Sequence, residues 1–339
     1  MGGGPFNALS RTRGDGVTEQ SRPSTSIRLR QIDSLDVTIL VDNSVDIFLS
    51  SDEATRRPHL TWDWSERQQL IAEHGYSVLL TIHRNGESRS VLYDAGLGRE
   101  TAIHNLDVLD LDLKHVEAMV LSHGHADHHG GLEGMLGRIG KNRLPFILHP
   151  DAWQDRKIVF PTGTEIHLPP PSRKILEDQE VEVLEERGPT LLFDGAILVS
   201  GQVDRLTSFE KGFPIHQARH KGEWKPDPWI WDDQGIICNV KGLGLVVVSS
   251  CSHSGVVNVL QNARRITGVE KVHAFIGGFH LTGGIFEKII PETIEQLKEI
   301  GPDLVVPGHC TGWKAVHQIA RILPESYVPT SVGTQIQFH

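Results

Sequence analysis

Four metal-capable side chains, His123, His125, Asp127 and His128, fall within six residues in Ser122-His-Gly-His-Ala-Asp-His-His-Gly-Gly131. Such a cluster is useful only on a backbone that turns its donors to one side. The flanks predict that turn: Val116-Glu-Ala-Met-Val-Leu121 reads as a buried strand, and Leu132-Glu-Gly-Met-Leu136 as a helix. Imidazole and carboxylate together suit Zn²⁺, Mn²⁺ or Fe²⁺ better than Ca²⁺ or Mg²⁺. A polar His-rich surface loop is the plainer alternative. It leaves unexplained the spacing His-x-His-x-Asp-His between a strand and a glycine pair.

The same local design recurs twice, as an aliphatic strand that ends in small and polar residues. Leu245-Val-Val-Val-Ser-Ser-Cys-Ser-His-Ser-Gly255 is one case and Leu304-Val-Val-Pro-Gly-His309-Cys-Thr-Gly312 the other. Donors from distant segments can converge at such strand ends. Further strands are predicted at Asp36 to Val41, Ser77 to His83, Ser90 to Tyr93, Phe146 to His149, Ile197 to Ser200, Gly235 to Val240 and Val272 to Ile276. Helices are expected at Ser65 to Glu73, Val256 to Ile266, Pro291 to Ile300 and Ala315 to Leu323. An α/β (α+β) chain with helices flanking a pair of sheets is the arrangement these elements imply.

At 339 residues the chain can build a large core, and a net charge of −10 gives no electrostatic footprint for nucleic acid or an anionic membrane. No apolar run approaches the roughly 20 residues of a membrane span. Cys238, Cys251 and Cys310 are odd in number and widely spaced, which argues against a disulfide framework and for a reducing, cytoplasmic compartment. Residues 1–26 are rich in Gly, Ser, Arg and Thr without an apolar stretch, so a disordered tail is expected rather than a secretory signal. Phe6 stands where a myristoylation signal needs Ser or Thr.

Two stretches lack regular periodicity, about 52–63 and 204–233, and both carry aromatics. They hold Trp62 in the first, and Phe209, Phe213, Trp224, Trp229 and Trp231 in the second. Loops of this length are commonly functional. Trp62, Phe209, Trp229 and Trp231 are therefore expected in lids over the metal site, with a satellite core as the competing expectation. Pro169-Pro-Pro171 marks a stiff exposed connection.

The His-x-His-x-Asp-His motif resembles that of the metallo-β-lactamase superfamily of metal-dependent hydrolases. The resemblance implies a four-layer αβ/βα sandwich of two mixed β-sheets flanked by helices, spanning residues 27–339. It assigns His123 and His125 to one metal, Asp127 and His128 to a second, and His309 to the second as well. Asp94, in Val-Leu-Tyr-Asp-Ala-Gly96, matches an early Asp that orients the site without binding metal. At the second turn this chain departs from the pattern. Gln202 is a poor ligand where a His is usual, and Cys251 stands where an Asp is expected. His253, two residues on, is the preferred ligand there and Cys251 its rival. His280, in Gly-Gly-Phe-His-Leu-Thr-Gly, could contact substrate, act as an acid or complete a metal shell, with a structural His as the equal alternative. His74 is expected near the site without an assigned role.

Leu40-Val-Asp-Asn43, Glu73-His-Gly75, His123 to His128, Cys251 to Gly255, Gly277 to Leu281 and Gly308 to Gly312 occur in this order. Together they resemble the branch named for 7,8-dihydropterin-6-yl-methyl-4-(β-D-ribofuranosyl)aminobenzene 5′-phosphate synthase. The expected chemistry is hydrolysis of a small phosphoester, cyclic ester or related aryl- or pterin-containing molecule by a metal-bound hydroxide. Asp127 and His280 are the catalytic candidates. One or two Zn²⁺ per chain are expected, with Mn²⁺ or Fe²⁺ as substitutes. A synthase using the same site, and a ligand sensor without catalysis, are the alternatives. Fold alone does not choose among them.

Overall fold

The computed structural model describes residues 26–58, 65 and 68–339. The expected tail up to residue 25, Trp62 and Trp64 lie outside the described residues. Two mixed sheets form the centre. One runs in the order Thr190–Leu192, Ile197–Val199, Ile236–Val240, Gly244–Ser249, Val272–Gly278 and Leu304–Gly308, with Gln31–Ile32 added beside Ile236–Val240. The other runs Glu182–Glu185, Pro145–Leu148, Val116–Val120, Glu87–Tyr93, Ser77–Arg84, Ser34–Val41, Gln335–Phe338 and Thr55–Arg56.

Alternation along the strands sorts side chains into layers, because successive residues point to opposite faces. Val246 and Val248 of the first sheet meet Val78, Leu80 and Val120 of the second in a shared core between the sheets. Leu245 and Val247 point the other way, towards the helices Val256–Thr267, Ile290–Ile300 and Trp313–Ile322. Leu79, Leu92 and Met119 do the same on the second sheet, against Thr101–Leu109 and Leu132–Ile139. Each fully buried aliphatic side chain contributes roughly 1.5–3 kcal/mol. The result is helix, sheet, sheet, helix, the four-layer sandwich that the family resemblance implies.

Three expectations need correction. Residues 68–73 are not helical. Asn105 takes over their backbone instead, accepting from Ile71 N and donating to Ile71 O and Leu40 O. The stretch 204–233 is not a structureless loop, since His216–His220 and Glu223–Pro226 form a hairpin in a small third sheet with Arg156–Val159 and Glu165–Leu168. Pro169 is exposed but Pro171 is buried, and the Pro169 carbonyl accepts from His129 Nε2, so this connection is partly anchored.

Candidate metal centre

The metal-capable residues gather where strands of both sheets end, and four non-glycine residues there adopt left-handed backbone: Asp94 at φ +61°, Ser252 at +54°, His280 at +46° and His309 at +45°. Such strain collects at sites that the surrounding structure holds in place. Here it turns the ends of four strands towards one point.

Buried Asp94 organises the first turn. Its carboxylate accepts from Ser122 N and Ser122 Oγ, and from His128 Nδ1, each at 2.7 Å. Because a carboxylate can only accept, His128 carries its proton on Nδ1 and presents Nε2 to the site. Asp94 thereby fixes how the His128 ring is turned. Gly124 and Gly130 are required by close approach: an added Cβ would lie 2.3 Å from Ala152 O and 1.9 Å from Leu97 O.

His123 Nε2 lies 3.1 Å from His253 Nε2, and Cys251 Sγ lies 3.4 Å from His128 Nε2. His309 Nε2, His128 Nε2 and His74 Nε2 stand 3.4, 3.5 and 3.6 Å from Asp127 Oδ2. Four donor groups emerge among the described residues, each with its ligand atoms within 4.8 Å of one another: His123, Cys251 and His253; His128, Cys251 and His309; Cys251, His280 and Cys310; His74, Asp127 and His309. Cys251 belongs to three of them. The second turn thus brings both Cys251 and His253 inward, where the sequence set them as rivals.

Partners behind these candidate donors fix their orientation. Asp42 accepts from His309 N, Asn43 Oδ1 accepts from His309 Nδ1, and Asn43 Nδ2 donates to His74 Nδ1 and to the His309 carbonyl. This leaves His309 Nε2 buried without a hydrogen-bond partner, and His253 Nδ1 is likewise unpartnered. Burial pushes the imidazoles of His123, His125 and His253 well below their ordinary range, so they are neutral. Burial pushes Asp127 up, yet His128 and His309 outweigh it and hold the carboxyl well below its usual value. For His128, burial opposes charge but Asp127 and Asp94 carry it to about 10, so its Nε2 serves as a donor only as a bound ion displaces that proton. Neutral imidazole lone pairs, an anionic carboxylate and an unpartnered buried nitrogen form a donor set that fits a divalent transition metal.

Sequence reasoning missed His216. It is fully buried, its Nδ1 donates to the Asp227 carbonyl, and its Nε2 faces His125 Nε2 at 3.0 Å. Strand alternation in His216–His220 would have marked it as an inward residue, but nothing in the one-dimensional spacing ties it to His125. Gln202 belongs to none of the donor groups. The network behind His216 was also hidden: buried Arg156 grips Asp232 through both oxygens, at 2.8 and 2.5 Å, and Asp232 accepts from Gly124 N. Gln234 donates from N and Nε2 to the Ser122 and Leu121 carbonyls. The end of the 204–233 stretch therefore braces the first metal turn.

The His280 ring lies beside that of His253, centroids 4.2 Å apart and tilted by 53°, and both line a cavity of about 210 Å³ with Phe209, Lys211, Pro214 and Phe286. Trp229 and Trp231 lie 6.0 Å apart, half-buried, with the Arg205 guanidinium over Trp231. They are not among the residues lining that cavity.

Two mixed sheets between helices, with His-x-His-x-Asp-His at the strand ends, define a class. The chain belongs to the metallo-β-lactamase superfamily, whose description matches residues 71–266. It is 32% identical to a protein of Methanocaldococcus jannaschii named 7,8-dihydropterin-6-methyl-4-(beta-D-ribofuranosyl)-aminobenzene-5′-phosphate synthase, over 79% of this chain and 90% of that one. An uncharacterised protein of the same organism is 28% identical over 75% of this chain and 90% of its own length. The crystal structure of Tm1679, a metal-dependent hydrolase of the β-lactamase superfamily, matches with a TM-score of 0.68 at 23% identity, covering 90% of this chain and 98% of that one.

Proposed function

We propose that this protein is a metal-dependent hydrolase of a small phosphoester, cyclic ester or related aryl- or pterin-containing molecule. The observation that carries the reading is the convergence of neutral imidazoles, Asp127 and Cys251 beside an open, partly apolar cavity. His123, His125 and His253 would hold one ion, and Asp127, His128 and His309 a second, with Cys251 within reach of both. When bound, Zn²⁺, Mn²⁺ or Fe²⁺ supplies Lewis acidity and brings the pKa of water from 15.7 towards about 7.

Asp127, anionic at neutral pH, accepts a hydrogen bond from the attacking water and orients it. Asp94 keeps the His128 lone pair turned inward while this happens. Phe209 and Phe286 supply apolar wall for a flat substrate portion, and His280 presents its ring to the same cavity. A small-molecule substrate and a reducing, cytoplasmic setting belong to this reading; Cys238, Cys251 and Cys310 are all free thiols. No described helix is long and apolar enough to cross a membrane.

A second reading, the joining of a pterin to an aminobenzene ribotide phosphate, is favoured by the name of the 32% identical relative. Metal-quantified protein assayed with phosphodiesters, phosphotriesters and lactones, and separately with a pterin plus an aminobenzene ribotide phosphate, separates the two. Hydrolysis that is lost on chelation and restored by metal supports the first. Asp127→Asn should lower that turnover by orders of magnitude with the fold intact by circular dichroism; unchanged turnover would remove Asp127 from the reacting centre.

A further inference from the structure

We propose that Cys310 is a metal ligand, forming with Cys251 and His280 a sulfur-rich donor group that favours a borderline or soft divalent ion. This rests on the metal centre just described but adds to it a donor that the His-x-His-x-Asp-His pattern does not contain.

The two sulfurs stand 3.3 Å apart, and the ligand atoms of Cys251, His280 and Cys310 all lie within 4.8 Å of one another. Both thiols are buried, at 3% and 4% relative exposure. The fold makes room for this arrangement. Gly278 leaves open the space that a side chain would fill, since a Cβ there would lie 2.7 Å from Cys310 Sγ and 2.2 Å from Ser250 O. Phe279 N donates to Thr311 Oγ1 at 3.0 Å, which ties the His280 turn to the Cys310 turn. His280 Nδ1 is a buried nitrogen without a hydrogen-bond partner, on a residue held in left-handed backbone.

Cys238 supplies an internal contrast. It is buried in the core between the sheets and belongs to none of the donor groups. Burial alone therefore does not bring sulfur and imidazole together in this chain; Cys251 and Cys310 meet because two strand ends and a glycine place them so. Thiolate donors select zinc, cobalt or ferrous iron over magnesium, calcium or manganese. Cys251, which is shared with two of the other three groups, links this sulfur pair to the rest of the centre.

X-ray absorption of the full-length protein, fully loaded with Zn²⁺, counts sulfur neighbours at the Zn–S distance of about 2.3 Å. Multiplied by the zinc bound per chain, this gives the Zn–S bonds per chain, to which Cys310 contributes at least one whether or not Cys251 bridges two ions. The proposal expects that number to fall by at least one in Cys310→Ser and to stay unchanged in Cys238→Ala. Should Cys310→Ser fail to fold, Cys310→Ala makes the same comparison. An undiminished number in the variant overturns the proposal while leaving a metal centre in place. A chain that binds no zinc at all overturns the proposed function with it.

Discussion

Cys251 and His253 show how two residues on one turn can both serve a site. His253 reaches His123 Nε2 while Cys251 Sγ reaches His128 Nε2 from the same strand end, with Ser252 in left-handed backbone between them. Loss of either should therefore weaken binding. Cys251→Ser and His253→Ala are each expected to lower metal affinity by roughly 10 to 100-fold or more, since even the partners behind ligands matter on that scale. Competition with a chromophoric chelator measures this. Normal affinity in one variant would restore the either-or reading, with the other residue as the ligand.

At the scale of elements, the segment before the hairpin ties the cavity wall to a helix. The Glu210 carboxylate accepts from Val257 N and Asn258 N, at the start of Val256–Thr267, and from Thr207 Oγ1. Gly255 permits this approach, since a Cβ there would lie 2.2 Å from Glu210 Cδ. Burial pushes the Glu210 carboxyl up to about 7, although the two backbone N–H groups pull it down. A folded-state value above the unfolded one, about 4.5, means that the folded protein holds more protons between them. Glu210 thus adds stability that is fully present below about pH 4.5 and is lost as pH rises through about 7. Glu210→Gln should flatten that part of the stability profile measured by urea denaturation; an unaltered slope would show that Glu210 does not titrate there. Nearby, Phe209 and Trp229 should behave differently. Phe209→Ala is expected to raise KM for an aromatic substrate without altering metal content. Trp229→Ala, half-buried and away from the cavity lining, should mainly lower stability, by about 2 kcal/mol against the 3–5 kcal/mol of a fully buried aromatic. Reversed behaviour would make Trp229 part of a lid.

Across the whole molecule, the legible parts were those that depend on local periodicity. The strand Val116–Val120, the helix Ile290–Ile300 and the alternating core strands follow from apolar spacing that one stretch of chain contains by itself. His123, His125, Asp127 and His128 were legible because four donors share one turn. The role of His216 was not, because its link to His125 exists only after a strand of the third sheet packs against the metal turn. Residues 68–73 likewise carry a helical pattern that Asn105 and Asp42 override through tertiary hydrogen bonds. Asp42 and Asn43 were visible as a motif, but their work of aiming His309 required the geometry.

The central claim is that these distant strand ends were brought together to hold metal. Elemental analysis of the purified protein, paired with melting curves during Zn²⁺ or Mn²⁺ addition, tests it directly, because a ligand that binds only the folded state raises its stability. About one or two transition-metal ions per chain are expected. Stripped protein should melt at a lower temperature and recover on metal addition. No bound metal, together with a melting temperature that neither ion changes, would contradict the account.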